Sequence, residues 1–393
     1  MTGLGAIGEV FWVFLRLGLT SFGGPVAHLG YFREAFVARR RWLDDEAYGV
    51  IVGFCQFLPG PASSQVAMVL GQRRAGTGGL IAAWIAFTLP SALLMIGFAL
   101  LVGQGLGDAP WLHGLKIAAV AVVADAVWSM GRRLTPDLPR LALAAGAAAL
   151  VLAVPVSVGQ LAAIGVGALL GALFFRASMQ GVIAVAAPRH AGLLLALFFV
   201  LLLGLPLLAV PDSRLGLFAS FYRSGALVFG GGHVVLPLLQ QAVVTPGWLG
   251  ESGFMAGYGA AQAMPGPLFS FAAYLGAAIG GAGGAAGAIG TALLCLVAIY
   301  LPSLLLVAGG WPLWQAVAHH PRLQAGLAGI NAAVVGLLAA ALWSPVITSA
   351  IFSPLDAGIA LAALALLRLK GPAWAAVAFC AGAASLAGLW LHP

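Results

Sequence analysis

Long apolar runs alternate with short polar gaps along the whole chain, and the lengths of the runs separate crossing helices from helices too short to cross. A first run extends from Ala6 to Phe22 and stops at Gly23-Gly-Pro25. A basic segment follows with Arg33, Arg39, Arg40 and Arg41, and then Asp44-Asp-Glu46 suits the first turn of a helix, where carboxylates complement the positive end of the dipole. That helix, Ala47 to Leu58, and its successor, Ala62 to Gly71, rise about 1.5 Å per residue and are too short for a roughly 30 Å hydrocarbon core. Arg73-Arg74 returns positive charge at once. Basic residues at both ends predict a re-entrant helical hairpin with Pro59-Gly60-Pro61 at its tip.

Spans are predicted near Gly79 to Val102, Leu115 to Met130, Leu141 to Val154 and Ser157 to Phe175, followed by an extra apolar run, Gly192 to Val210. The arrangement then returns: Leu217 to Phe229 meets Gly230-Gly-Gly232, and Gly253 to Gly276 forms a second hairpin with Pro265-Gly266-Pro267 at its tip. Gly284 to Val307, Leu323 to Trp343 and a pair split by Lys370-Gly-Pro372 complete the chain. Setting Phe22-Gly-Gly on Phe229-Gly-Gly aligns Arg16 with Arg223 and Gly18 with Gly225. Further on, Gln56 meets Gln262, Ser64 meets Ser270, Leu89-Pro-Ser91 meets Leu301-Pro-Ser303, and Gly114-Leu-Lys116 falls on Gly329-Ile-Asn331. The chain is therefore read as two homologous halves, 1–176 and 214–393, joined by a connecting segment, 177–213.

Loop charge orients the halves. Four Arg lie between the first run and its hairpin, whereas the matching segment between Gly232 and Gly253 has no Lys or Arg. The positive-inside rule puts Arg39 to Arg41 in the cytoplasm and Pro246-Gly-Trp248 outside, so the halves are expected to have inverted topology. Such a pair needs an odd number of crossings between its starts. The five clear spans satisfy this, but Gly192 to Val210 makes six, so one apolar run is expected not to cross.

Composition agrees with a polytopic, all-α membrane protein. The chain is 62% hydrophobic and 7% charged with a mean hydropathy of +1.05, against about a quarter charged residues in soluble domains. The net charge of +7 lies mostly in short loops and does not argue for nucleic acid. Ala6 to Phe22 holds Glu9 and Arg16 without a convincing cleavage site, so it is expected to be retained rather than removed as a signal peptide, and no soluble domain is expected. Cys55, Cys295 and Cys380 lie inside apolar runs as small buried hydrophobes, and no metal or cofactor is expected.

Five patterns together resemble one family. Phe22-Gly-Gly-Pro-Val-Ala-His28, Trp42-Leu43, Gln56-Phe-Leu-Pro-Gly-Pro-Ala-Ser-Ser-Gln65, Phe229-Gly-Gly-Gly-His-Val-Val-Leu-Pro237 and Gly329-Ile-Asn-Ala-Ala-Val-Val335 are similar to motifs of the chromate ion transporter family in its long, two-half form. The resemblance implies a multi-pass protein of the bacterial inner membrane that exports chromate and confers resistance to it, with sulfate as a related anion. A homodimer is a further expectation.

A tetrahedral dianion needs hydrogen-bond donors and positive potential. Helices starting at Ala62 and Leu268, after Pro59-Gly60-Pro61 and Pro265-Gly266-Pro267, present unpaired N–H groups and a positive dipole end. A break of this kind in an apolar run must be buried in protein or face water. Ser63, Ser64 and Ser270 would add hydroxyls, unless they bond back to their own helices. Gln56 and Gln262 would add amides, and Gly23, Gly24, Gly230 and Gly231 are counted with the tips as contacts of the anion. Arg16 and Arg223 would carry a burial penalty of about 2.5–3.5 kcal/mol each within their runs. They are read either as anion partners or as side chains that snorkel to the interface. Lys116, aligned with Asn331, lies in the pathway or anchors at the interface. Asp125 titrates or pairs with a cation such as Lys116, and Asp125, His28 or His233 is the candidate proton carrier.

With a negative interior, expelling a dianion gains about 4.6 kcal/mol per 100 mV, which favours efflux. An anion channel lined by the same hairpins is the rival of a carrier. An intramembrane enzyme is disfavoured because no cofactor fingerprint or paired nucleophile and base appears. An ATP-driven pump is excluded by the lack of a phosphate-binding Gly-Lys-Ser/Thr loop.

Overall fold

The computed structural model describes residues 3–22, 24–103, 110–153, 156–175, 190–210, 213–229, 234–310, 314 and 320–391, and among them it is helical with no strand. Gly23, Gly230, Gly231 and His233 lie outside the described residues. The first half contains α1 (Gly3–Thr20), α2 (Gly24–Arg33) continued by a π-helical turn (Glu34–Arg39), α3 (Asp45–Phe57), α4 (Ala62–Leu101), α5 (Pro110–Leu134), α6 (Leu138–Ala153) and α7 (Val156–Phe174). After α8 (Ala191–Leu208) the order repeats with α9 (Arg214–Ala226), α10 (Val235–Val243), α11 (Glu251–Ala263), α12 (Phe271–Gly280), α13 (Gly284–Gly309), α14 (Pro321–Ala341), α15 (Pro354–Arg368) and α16 (Ala373–Leu391). Among the described residues, six stretches are long and apolar enough to cross a membrane: Gly3–Thr20, Ala62–Leu101, Pro110–Leu134, Ala191–Leu208, Leu268–Gly309 and Pro321–Ile347. The protein is a polytopic membrane protein built from two repeats.

The Asp44 carboxylate caps α3 by accepting from the Ala47 N–H at 2.8 Å, as the acidic run predicts. Inside α4 the backbone leaves helical geometry at Ala75 and at Gly76, where φ is +62°. The chain doubles back there, so that Gly71 packs directly on Gly79 and Ala83. The second half makes the same turn with a 3-10 segment, Gly281–Gly283, and Gly284 at φ +71°. Gly276 then lies against Thr291 and Ala292, and Gly280 against Gly287. The glycines thus divide by role: Gly276, Gly280 and Gly287 allow close approach, as small residues do between membrane helices, whereas Gly284 permits the turn.

Each half repeats its contacts. Gly18 of α1 presses on the carbonyls of Ala86 and Phe87 in α4, and Gly225 of α9 presses on the Ile299 carbonyl in α13. Gly114 of α5 packs on Cys380 and Ala381 of α16, and Gly329 of α14 on Gly167 and Gly171 of α7. In both halves the aligned glycine removes the Cβ that would hold the backbones apart.

Two sets of ion pairs fix the elements around this core. Glu9, in the second turn of α1, accepts from Arg74 at 2.7 Å and lies 3.6 Å from Arg40. After α1, the chain therefore returns through α2 to the level at which α1 began. Between α5 and α15, His113 meets Asp356 at 3.0 Å and Asp125 meets Arg368 at 3.3 Å, so these helices run parallel. Asp125 thus pairs with Arg368, whose guanidinium also covers the Trp128 ring, and not with Lys116. Helix geometry excludes Lys116, which is nine residues away and off the i, i+3 and i, i+4 positions. Lys116 instead donates to the Ser252 hydroxyl at the start of α11.

Candidate functional site

The two Pro-Gly-Pro breaks meet partners from opposite halves. Gly60 at φ +123° and Gly266 at φ +92° adopt backbone conformations open to glycine. The Gly60 N–H donates to the Val228 carbonyl at 2.7 Å, and the Gly266 N–H donates to the Ser21 carbonyl at 2.8 Å. Val228 and Ser21 are the residues immediately before the two Phe-Gly-Gly motifs of the sequence. Each hairpin tip is therefore tied to the residues that directly follow the first helix of the other half, α1 ending at Thr20 and α9 at Ala226. The donors that a break frees are satisfied inside the protein, which lets irregular backbone lie within an apolar structure.

The Leu-Pro-Ser motifs complete the crossing. Ser303 sits against Gly60, and Ser91 lies 3.0 Å from where a Cβ on Gly266 would stand. Gln65 donates through Nε2 to the Pro59 carbonyl at 2.7 Å and to the Ser303 hydroxyl at 3.2 Å, linking the first tip to the second half. The Ser64 hydroxyl is 3.5 Å from the Tyr300 hydroxyl. The Tyr300 ring is 5.8 Å from Phe269 and 5.7 Å from Trp84, so one side chain touches the first turns after both breaks. α4 begins its ladder with Gln65 N–H to the Pro61 carbonyl, and the turn before α12 begins with Ser270 N–H to the Pro267 carbonyl. The preceding N–H groups lie outside those ladders, at the positive end of each helix.

His28 joins the same centre. It is 1% exposed, with Nε2 3.1 Å from the Ser21 carbonyl and Nδ1 3.3 Å from the Ser63 hydroxyl. A carbonyl only accepts, so Nε2 carries the proton, and in the neutral ring Nδ1 accepts from Ser63. Close by, the Ser21 hydroxyl and the Gln65 Oε1 are buried without hydrogen-bond partners.

The structure therefore gathers Pro59, Gly60, Pro61, Ser63, Ser64, Pro265, Gly266, Pro267, Ser270 and His28 at one crossing. Ser270 donates to the Pro267 carbonyl at 2.8 Å, the back-bonded arrangement weighed above for these serines. Gly24 opens α2 at φ +75°. Gln56 is exposed one turn before its break, while Gln262 is half-buried. Arg16 is exposed, and Arg223 is half-buried in the wall of a separate cavity. The Lys116 ammonium, at Ser252, points away from the tips, about 20 Å along α11 from Pro265. Asn331 lies half-buried in α14, two residues from the Gly329 contact with α7. Sequence reasoning did not assign Gln65, Ser91, Ser303 or Tyr300 to the site. The aligned Leu-Pro-Ser motifs were the signal for two of them.

The family model described as chromate transporter matches residues 8–172 and 215–386, leaving α8 between the two matches. The chain is 30% identical over 360 residues to the chromate transport protein of Pseudomonas aeruginosa, an alignment covering 84% of this chain and 79% of that one. It is 29% identical over 403 residues to the chromate transport protein of Cupriavidus metallidurans, covering 98% and 93%. No solved structure matches. Two matched halves in tandem, together with near full-length similarity, establish that the chain belongs to the chromate transporter family.

Proposed function

We propose that this protein is a secondary carrier that exports chromate, or a closely similar tetrahedral oxyanion, across the bacterial inner membrane and so confers chromate resistance. The observation that carries the reading is the reciprocal crossing, Gly60 to Val228 and Gly266 to Ser21, which sets two helix N-termini around Tyr300. Helix N-termini bind anions through free N–H groups and the dipole, with no need for a resident cation or cofactor. Two relatives that cover most of the chain are named as chromate transport proteins, which supports the substrate class.

Inverted repeats, 1–176 and 214–393 about the 177–213 connection, fit the ion pairs. α1 enters as far as the crossing at Ser21, and the chain is back at Glu9 by Arg40 and again by Arg74. The run that fails to cross is then α1, although its length and composition suffice. The crossings between the two starts are the long arm of α4, then α5, α6, α7 and α8, an odd number; α6 and α7 enter as a pair and leave the parity unchanged. Inverted halves around a midplane site are the architecture of many carriers whose access alternates by rocking one part on the other. The bonds that tie the tips across the centre favour such a carrier over an open pore.

Direction follows from charge: a dianion leaves a negative interior with about 4.6 kcal/mol per 100 mV. The test is radiolabelled chromate and sulfate flux in proteoliposomes under imposed potentials. Saturable efflux, accelerated by an inside-negative potential and sensitive to oxyanion on the far side, is expected. Accumulation of chromate against that potential would overturn export. Flux without saturation or counter-transport would replace the carrier with a channel.

A further inference from the structure

One cavity beside the crossing is lined by groups that the tips do not use. Residues of α7, α9 and α10 line a half-open cavity of about 120 Å³, walled by Gln160, Ser220, Arg223 and Gln241 together with Leu227 and Pro246. At ~30 Å³ per water that is room for about four water molecules, or for one small anion with part of its hydration shell. Gln160 is 1% exposed, and neither its amide oxygen nor its amide nitrogen has a hydrogen-bond partner. Buried amides are normally paired, so a doubly unpaired one facing a cavity points to a ligand. Arg223 faces the same space, and among the described residues no carboxylate lies in the wall. Ser224 is already engaged, donating to the Ser220 and Leu238 carbonyls. The open donors are therefore one guanidinium, two amides and the Ser220 hydroxyl, a set suited to an anion.

We propose that this cavity is a second oxyanion site, a vestibule on one side of the crossing. The inference rests on the carrier reading for its role and on the cavity itself for its chemistry. Leu227 lies in its wall, next to Val228, whose carbonyl holds Gly60, so the vestibule adjoins the tips. Pro246, also in the wall, belongs to the loop without Lys or Arg, which puts the vestibule on the side away from Arg39 to Arg41. The two halves differ here. In the aligned register the first half has Val13 and Leu17 where the second has Ser220 and Ser224, and Arg16 is exposed. For an exporter the vestibule is the place from which the anion departs, and external oxyanion returning to it slows efflux.

The experiment measures the external sulfate concentration that halves chromate efflux from proteoliposomes, alongside equilibrium binding of radiolabelled sulfate to purified protein in lipid nanodiscs. Losing one charge-assisted or buried hydrogen bond should raise that concentration at least about tenfold in Gln160→Leu and Arg223→Gln. Arg223→Lys should restore most of the effect, and half-saturation for chromate on the inner face should stay within about twofold of wild type. Gln160→Glu keeps the size and adds a like charge, so it should abolish external inhibition, with thermal unfolding confirming that each variant folds. Unchanged external inhibition in folded variants, or an equal shift on both faces, overturns the vestibule while leaving the carrier intact. If the wild type moves no oxyanion, the carrier reading fails. The nanodisc measurement then decides the vestibule: sulfate binding lost in Gln160→Leu and Gln160→Glu upholds it, and unchanged binding overturns it.

Discussion

The amide of Gly60 donates to the carbonyl of Val228 at 2.7 Å, and the aligned pair, Gly266 and Ser21, forms the same bond at 2.8 Å. The two bonds exchange under the internal repeat, so each half supplies the acceptor that the other half's break requires. Neither half can close its own tip. The centre is consequently a joint product of the duplication, and a change at one tip is felt in both halves.

Gly60→Ala should be the more damaging of the two tip substitutions. A Cβ on Gly60 runs into the Ser303 hydroxyl and lies 2.6 Å from Gln65 Nε2, at φ +123°, whereas a Cβ on Gly266 meets Ser91 at 3.0 Å, at φ +92°. Forcing a side chain into that backbone region costs about 1–2 kcal/mol, and overpacking adds about 1–3 kcal/mol. Chromate flux and thermal unfolding of both variants check the ranking, and equal tolerance would refute it.

Gln65→Leu removes the donor shared by Pro59 and Ser303 and leaves the Pro59 carbonyl without that partner. A loss of about 1–3 kcal/mol is expected, against about 0.5–1.5 kcal/mol for Ser303→Ala. Thermal unfolding in detergent measures both, and a double variant no worse than Gln65→Leu alone would confirm that they share one interaction.

The sequence showed the breaks and the duplication because both are local: Pro-Gly-Pro needs no partner to be recognised, and Asp44 caps a helix within three residues. Distant pairings were not visible. Lys116 is a cation on the same helix as Asp125, though nine residues is not a helical neighbour spacing, while the partner of Asp125, Arg368, comes from the other half. The return of the chain to Glu9 depends on Arg40 and Arg74, and composition alone lets Gly3–Thr20 pass as a span. Gln160 stood unnoticed in an apolar run, since a single amide in such a run has no pattern; its burial and lack of partners mark it.

Asp125→Asn should leave chromate flux within about twofold of wild type and change stability by about 0–1 kcal/mol, the range for partly exposed ion pairs. Asp125 and Arg368 are 33% and 44% exposed, and both lie on α5 and α15, away from the crossing. Abolished proton-linked flux in this variant would make Asp125 the carrier of the proton and contradict the expectation.

His28 offers a route for protons to act on the anion. In the neutral ring Ser63 donates to Nδ1; once protonated, the ring donates from both nitrogens, and the Ser63 hydroxyl proton is released to face the tips. Burial pushes the pKa of the His28 ring down to about 4, so oxyanion binding should strengthen in the wild type only as pH falls toward that value, and lose that response in His28→Gln. Equilibrium binding of radiolabelled chromate across pH measures this, and an identical pH response in both proteins would remove His28 from the mechanism.

The inverted arrangement can be tested without substrate. Cys55, Cys295 and Cys380 are buried, so an impermeant maleimide should meet little background in the native chain. Ala38 and Thr245 are exposed and lie in the segments that precede the first and second hairpins. Because the first segment is rich in Arg and the second has none, Thr245→Cys should react from outside intact cells, and Ala38→Cys only in inverted vesicles. The result bears on the crossing itself. A reciprocal pair of bonds between halves of opposite orientation puts the two helix N-termini on either side of one centre, as alternating access requires. Labelling of both cysteines from the same face would mean that the halves are parallel, and the carrier geometry proposed for this centre would fall with it.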